Sequence, residues 1–251
     1  MRLFHRVTPV LVVGVLVAVW WMAARPSKIF PTPWKVVLGM IELAGKGVLV
    51  QYVVASLFRV TVGYGIAVAL ALPLGSLMGW FPAAFRACNP VVQLLRPISP
   101  IAWIPLAILW FGVSDASPTF LIFLSSFFPI VVATTSGVHL VEQQYIRAAR
   151  NFEVGGFRLF RQVIFPAALP QVITGMRVGL GVAWLVVVAA EMVAINSGLG
   201  YLIIDSRNAG TRYDLVVAGM VLIGVIGYLL DLVMRRLESL DEVRWRYSYD
   251  R

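Results

Sequence analysis

Charge is scarce in these 251 residues: Asp, Glu, Lys and Arg together make up 13%, where a soluble domain carries about a quarter. The single cysteine, Cys88, can form no internal bridge, and two histidines beside it give no zinc pattern. No Gly-x-x-x-x-Gly-Lys-Ser/Thr occurs. Gly45-Lys46 runs straight into Gly47, so the chain has no phosphate loop of its own. What is plentiful is apolar surface, with 60% of residues in the AVILMFWYC set before 21 glycines are added. One core cannot hide that much, so lipid must be the solvent for much of it. A soluble enzyme, a disordered chain and a disulfide scaffold are excluded together.

The formal charge of +9 invites a nucleic-acid reading. The basic residues, however, flank long uncharged runs instead of forming a stripe interleaved with aromatics, which is how bilayer proteins fix orientation. Six runs are long enough to span, at about 20 residues each. The first, 7–24, follows Arg2 and Arg6; it has the order of a signal peptide, but five further runs favour an uncleaved first span. A polar connection over 26–47 carries Pro26, Pro31 and Pro33 and a weakly amphipathic stretch at 34–44. Arg59 opens the second span, with no further charge before Arg86. The third covers 91–111, interrupted by Pro97, Pro100 and Pro105; the fourth 118–138, the fifth 173–195 and the sixth 215–234. With the N-terminus inside, fourteen Lys/Arg fall in inner segments and seven, Arg59 among them, in outer ones. The bias places both termini in the cytosol.

Gly75-Ser-Leu-Met-Gly79 and Gly175-Met-Arg-Val-Gly179 set small residues four apart, a spacing that lets helix backbones approach closely. Pro73, Pro105 and Pro129 lie inside runs, where each removes a backbone hydrogen bond. Together they predict a polytopic all-α bundle with bent helices. Catalysis finds little footing. Ser197 has no Gly-x-Ser-x-Gly frame, and His139, near the end of the fourth span, is predicted on the other side of the membrane. Glu191 is the one clear acid inside a span, in an otherwise uncharged run from 182 to 194. It is either a functional group or a carboxylate hydrogen-bonded near the outer end. Asp231 and Arg235, at i and i+4, read as a structural pair.

The segment 142–170 between the fourth and fifth spans is the most patterned. It reads as two short helices, 142–152 and 157–164, divided at Gly155-Gly156, with Pro166 and Pro170 turning the chain back to the bilayer. Tyr145, Ala148, Ala149 and Phe152 fall at helical spacing on one side. A patterned loop of this length in so small a protein suggests a docking surface.

Here the sequence resembles a family. Arg147-Ala148-Ala149-Arg150-Asn151-Phe152-Glu153, then Phe157-x-x-Phe160-Arg161 and Val163-Ile-Phe-Pro166-Ala-Ala-Leu-Pro170, is similar to the Glu-Ala-Ala loop of bacterial ABC importer permeases. The likeness runs on through Gly175-Met-Arg-Val-Gly-Leu, Trp184-Leu, Ala190-Glu191-Met192 and Ser197-Gly198-Leu-Gly200-Tyr-Leu202. Upstream, Ala55-Ser-Leu-Phe-Arg-Val60 and Leu95-Arg-Pro-Ile-Ser-Pro-Ile-Ala-Trp-Ile-Pro105 fit the nitrate/sulfonate/taurine branch with its bicarbonate relatives. Two positions depart from the pattern: the family's leading Glu is Arg147 here, and its near-invariant Gly falls on Glu153, so Gly155-Gly156 is expected to take over the turn.

The resemblance implies a MetI-like type I importer permease fold, with a first helix and outer connection (1–50), a permease core (51–236) and a cytosolic tail (237–251). It implies a multi-pass protein of the bacterial inner membrane that moves a small anion or sulfonate. The implied partners are a second permease copy, two cytosolic ATPases that hydrolyse the ATP, and an extracytoplasmic binding protein; no cofactor, metal or nucleic acid is implied. Arg147, Ala148, Ala149, Arg150, Phe152, Glu153, Gly155, Gly156, Phe157, Phe160, Pro166 and Pro170 would belong to the ATPase-coupling loop. Glu191, Asn196, Gly198 and Gly200 are the pathway candidates. The other reading, a six-helix secondary transporter or channel, would show internal repeats and broken helices meeting at midplane charges; no convincing repeat is present.

Overall fold

Long apolar runs in lipid have one workable backbone solution short of a closed barrel. In a helix every N–H and C=O is satisfied within its own segment. The computed structural model describes residues 2–27, 29–210 and 212–238, with side chains from 11 to 237, and among these there are helices and turns but no strand. In order come α1 (Arg2–Ala24), α2 (Pro33–Gly45), α3 (Val48–Trp80), α4 (Pro82–Leu95), α5 (Ile104–Phe111), α6 (Ala116–His139), α7 (Gln143–Asn151), α8 (Gly156–Leu159), α9 (Phe165–Ala194), α10 (Leu199–Asn208) and α11 (Tyr213–Glu238). A 3-10 turn, Pro100–Trp103, leads into α5, and a π-helical turn, Phe160–Ile164, joins α8 to α9. Most of the tail at 237–251 lies outside the described residues.

Four segments are long and apolar enough to cross a membrane: α3, α6, the continuous run Gly156–Ala194, and α11. A fifth forms if α4 and the Pro100–Phe111 segment count as one span, bent by 83°. Helix α1 adds a shorter apolar stretch, Leu11–Ala24. The six expected runs therefore map onto these five segments and α1, with three boundaries corrected. Helix α3 begins at Val48, so Arg59 sits well inside it instead of opening it. The third span starts at Pro82 and breaks where Pro97 and Pro100 deny the ladder their N–H groups. Pro105 lies in the first turn of α5, a place proline tolerates, and not in a helix interior.

The fifth span differs most. Pro166 and Pro170 do not turn the chain; one helix runs through both from Gly156 to Ala194. The π turn just before Pro166 accommodates the missing donor, with Phe165 N–H reaching back five residues to the Phe160 carbonyl. Pro170 then costs the ladder a single bond inside α9.

Helix α6 is the centre, packed between α3 and α9. The two small-residue pairs make this possible. A Cβ on Gly75 would stand 2.7 Å from the Thr134 Cβ, and one on Gly79 2.6 Å from the Val138 Cβ. On the other flank a Cβ on Gly175 would meet the Ala133 Cβ at 2.2 Å. Such contacts leave room for hydrogen only, so the backbones close to a distance that lipid cannot enter. Helix α11 lies outside this layer and is held by polar ties at both ends. Asp231 takes Arg177 at 2.6 Å and Arg235 at 2.9 Å. At the other end Arg212 reaches Glu42 of α2 at 2.7 Å, and that guanidinium, helped by Lys46, holds the Glu42 pKa at about 2 against an ordinary 4.5.

Candidate functional site

Two places concentrate polar or exposed chemistry, at opposite ends of the bundle. The first surrounds Glu191, near the end of α9 opposite the 142–170 loop. Its carboxylate is wholly buried, a situation that lipid or an apolar core makes costly unless the charge is paired and hydrogen-bonded. It is both. Arg59 Nη1 approaches Oε1 at 2.6 Å. The Ser56 hydroxyl lies 2.8 Å from both carboxylate oxygens. The Gly200 N–H donates to Oε2 at 3.0 Å. The Ser56 oxygen in turn accepts the Leu199 N–H at 3.0 Å.

Arg59, itself 2% exposed, spends its remaining donors outward. They go to the Ser197 carbonyl at 3.1 Å, the Ser197 hydroxyl, and Asp115 Oδ1 at 2.8 Å from Nε. Asp115 stands where the chain enters α6 and is 62% exposed. One buried arginine thus joins α3, α9, the start of α6 and the turn into α10.

Glycines 198 and 200 are what let the turn close on the carboxylate. Gly198 holds φ +101, a region L side chains rarely adopt, and a Cβ there would lie 2.3 Å from the Glu191 carboxyl carbon. A Cβ on Gly200 would lie 2.2 Å from the Val188 carbonyl oxygen. Of the four pathway candidates, the structure brings Glu191, Gly198 and Gly200 together, while Asn196 is exposed beside them. Glu191 does not stand alone, as hydropathy alone suggests. Its partner Arg59 is 132 positions away, and a lone charge before an apolar run reads as an end. Helix α10 was missed too; its small, glycine-flanked start gives no amphipathic period. Ser197 is bound to Arg59, and His139 lies at the far end of α6, stacked on Phe85.

The second place is the segment 142–170. Helix α7 presses Ile146 and Ala149 onto Val138, Val141, Leu159 and Ile164. Tyr145, Ala148 and Phe152 face outward. The apolar row expected on one side is therefore split, with Ala149 on the inner face. Phe152 and Phe157 are 82% and 76% exposed, while Phe160 turns inward to meet the Trp80 ring edge-on at 5.3 Å. Arg147, Arg150, Arg158 and Arg161 are all exposed around them. Two bare phenylalanines on a loop whose other face is packed form a surface with fixed shape.

The end of α7 explains Glu153. The Val154 N–H bonds the Ala149 carbonyl at 3.0 Å and the Glu153 N–H bonds the Arg150 carbonyl at 2.9 Å. That pair of bonds closes a helix through a residue in the left-handed region, usually glycine. Glu153 takes the position with φ +58, the one non-glycine residue with positive φ among those described. Gly155 is extended (φ −133, ψ 177) and Gly156, at φ +55, opens α8. The glycine pair does not take over the turn; the glutamate makes it. Left-handed backbone costs a side-chain-bearing residue about 1–2 kcal/mol, and the extra unfolded freedom of glycine costs about 0.5–1. Glu153→Gly is thus expected to stabilise the loop by about 0.5–1 kcal/mol, read as slower hydrogen exchange at the Val154 amide. Faster exchange would mean that the side chain itself holds the turn.

Comparison with known proteins gives these features a setting. Residues 71–240 match the family model of the binding-protein-dependent transport system inner membrane component. The chain is 36% identical to the taurine transport system permease protein TauC of Escherichia coli over 234 residues, covering 90% of this chain and 85% of TauC. It is 34% identical to the nitrate import permease protein NrtB of Synechocystis over 245 residues, covering 93% and 88%. An inward-facing form of the MetNI methionine ABC transporter shares the fold, with a TM-score of 0.66 at 18% identity over 76% of this chain and 94% of that one. With a family model matching more than half its length, and relatives matching nearly all of it, the chain belongs to the inner-membrane permease components of binding-protein-dependent ABC importers.

Proposed function

We propose that this protein is the pathway-forming subunit of an ATP-driven importer of a small oxyanion or sulfonate, and that the segment 142–170 is where its ATPase docks. Two copies would enclose the path, with both termini in the cytosol and a binding protein delivering solute on the side of the Arg59–Glu191 cluster. The permeases to which it is similar serve taurine in one case and nitrate in the other, which supports the class of substrate and leaves the choice within it to the binding protein. A membrane subunit with no phosphate loop must receive its work mechanically, through an element joined to the spans that move. The observation that carries the reading is the exposed pair Phe152 and Phe157 on a loop whose inner face is packed against the ends of α6 and α9.

Because Ala149 is part of that inner face, the variant to make is Ala148→Glu. Ala148 is exposed, so a carboxylate there leaves the fold alone and puts bulk and charge on the docking face. Ala148→Glu is expected to insert at normal levels, to lose co-purification with its ATPase partner, and to lose coupled uptake. Wild-type pull-down and uptake in this variant would remove the docking assignment.

A further inference from the structure

The loop has a second face, on which neither Phe152 nor Phe157 lies. Between it and the α3–α4 turn lies an open cleft of about 540 Å³. Arg86 of α4 and Arg150 of α7 both line it, along with Gln143 and His139, and buried apolar residues that include Met78, Val138 and Ile164 form its floor. No aspartate or glutamate lines it, and neither arginine is ion-paired among the described residues. Helices α3 and α6 end at the cleft, while α4, α7 and the long helix from Gly156 begin there, so their dipoles offset only in part and the excess of N-termini favours an anion. The two guanidinium groups add to that sign.

We infer that this cleft binds an oxyanion carried on a short apolar body, a sulfonate or phosphate with its charge on Arg86 and Arg150 and its carbon portion over the floor. Planar guanidinium groups suit such oxygens, giving paired hydrogen bonds along with charge. The apolar floor adds binding for a ligand whose carbon portion covers it, a gain that a bare inorganic ion does not make. The ligand would bridge α4 to α7, tying the loop to the bundle beside it. The inference goes beyond the transport reading and does not depend on which solute is carried: occupancy here fixes the position of the loop whatever the pathway holds. The same chemistry arrives from two sources, a free organic anion or the headgroup of an anionic lipid.

The full-length chain in phosphatidylcholine nanodiscs separates them. Butane-1-sulfonate is expected to raise Tm by about 2–4 °C once well above its Kd, while butan-1-ol and sodium chloride at matched concentration leave it unchanged. Arg86→Gln with Arg150→Gln should abolish the shift, and Arg86→Lys alone should retain part of it. If the shift comes only from adding phosphatidylglycerol to the disc, and the double variant loses it, the site stands with a lipid as its source. An equal shift in wild type and double variant, or no shift with either probe, overturns the site. Should the double variant fail to fold, the wild type still decides the matter: protection of Arg86 and Arg150 from phenylglyoxal by butane-1-sulfonate or phosphatidylglycerol supports the site, and absence of protection overturns it.

Discussion

Arg59→Met is expected to lower the stability of the protein by about 3–5 kcal/mol, the usual cost of leaving a buried charge without its partner. Methionine fills much of the arginine volume, so the loss is electrostatic more than steric. Glu191 would keep Ser56 and the Gly200 N–H but lose its only cation, and Asp115 and Ser197 would lose their link to α3. Glu191→Gln should cost less, since a neutral amide can still use Ser56 and Gly200, though Arg59 is then left with Asp115 alone as a counter-charge. The decisive measurement is the double variant. Arg59→Met with Glu191→Gln removes both charges, and thermal unfolding in detergent should place it above Arg59→Met alone. If the double variant is as unstable as the sum of the single ones, the pair is not coupled and its short distance has no energetic meaning.

Gly200→Ala is expected to be nearly as damaging, at about 3 kcal/mol, the upper end of what overpacking costs. The added methyl meets a backbone carbonyl, Val188 O, at 2.2 Å and the Glu191 Cβ at 2.8 Å. A side chain could rotate away; a backbone carbonyl within α9 cannot. Relief would require α10 to lift from α9, which pulls the Gly200 N–H off Glu191 and loosens the cluster. Gly181→Ala is the matched control, since nothing lies within 4 Å of its Cβ position. In a helix interior it should gain a few tenths to about 1 kcal/mol from propensity. Melting temperatures that do not separate the two variants would show that the outer turn is looser than its contacts suggest.

How far the sequence foretold all this depends on the range of each interaction. The pairs Gly75/Gly79 and Gly175/Gly179 were legible because a small residue every fourth position has few uses in a span other than close packing, and both pairs do face α6. The Asp231–Arg235 pair was legible as a local i,i+4 contact, while Arg177, 54 residues away, was not. The same distance hid Arg59. Hydropathy treats a charge as a reason to leave the membrane, and only the fold shows that Glu191 makes it a reason to stay. The prolines misled in the opposite sense. Pro97 and Pro100 do break a helix, because nothing nearby replaces the missing bonds. Pro166 does not, because a single widened turn over Phe160–Ile164 accommodates it. Glu153 was visible as an odd residue at a glycine position, but its left-handed φ could be learned only from the two bonds that close α7.

The continuous helix from Gly156 to Ala194 has a mechanical meaning. Its 39 residues make a rod of about 58 Å at 1.5 Å per residue, with the exposed Phe157 at one end and Glu191 at the other. A strut of this kind does not carry a signal by passing it from residue to residue; tilting one end moves the other as a single lever. Helix α6, pressed against it through Gly175 and Gly179, is the natural fulcrum. The π turn at Phe160–Ile164 is then a compliant joint in the lever, lying a single turn from the loop end. Whatever motion the joint does not absorb arrives at the ring of hydrogen bonds around Glu191, and stiffening or softening that one turn would reset how much of it gets there.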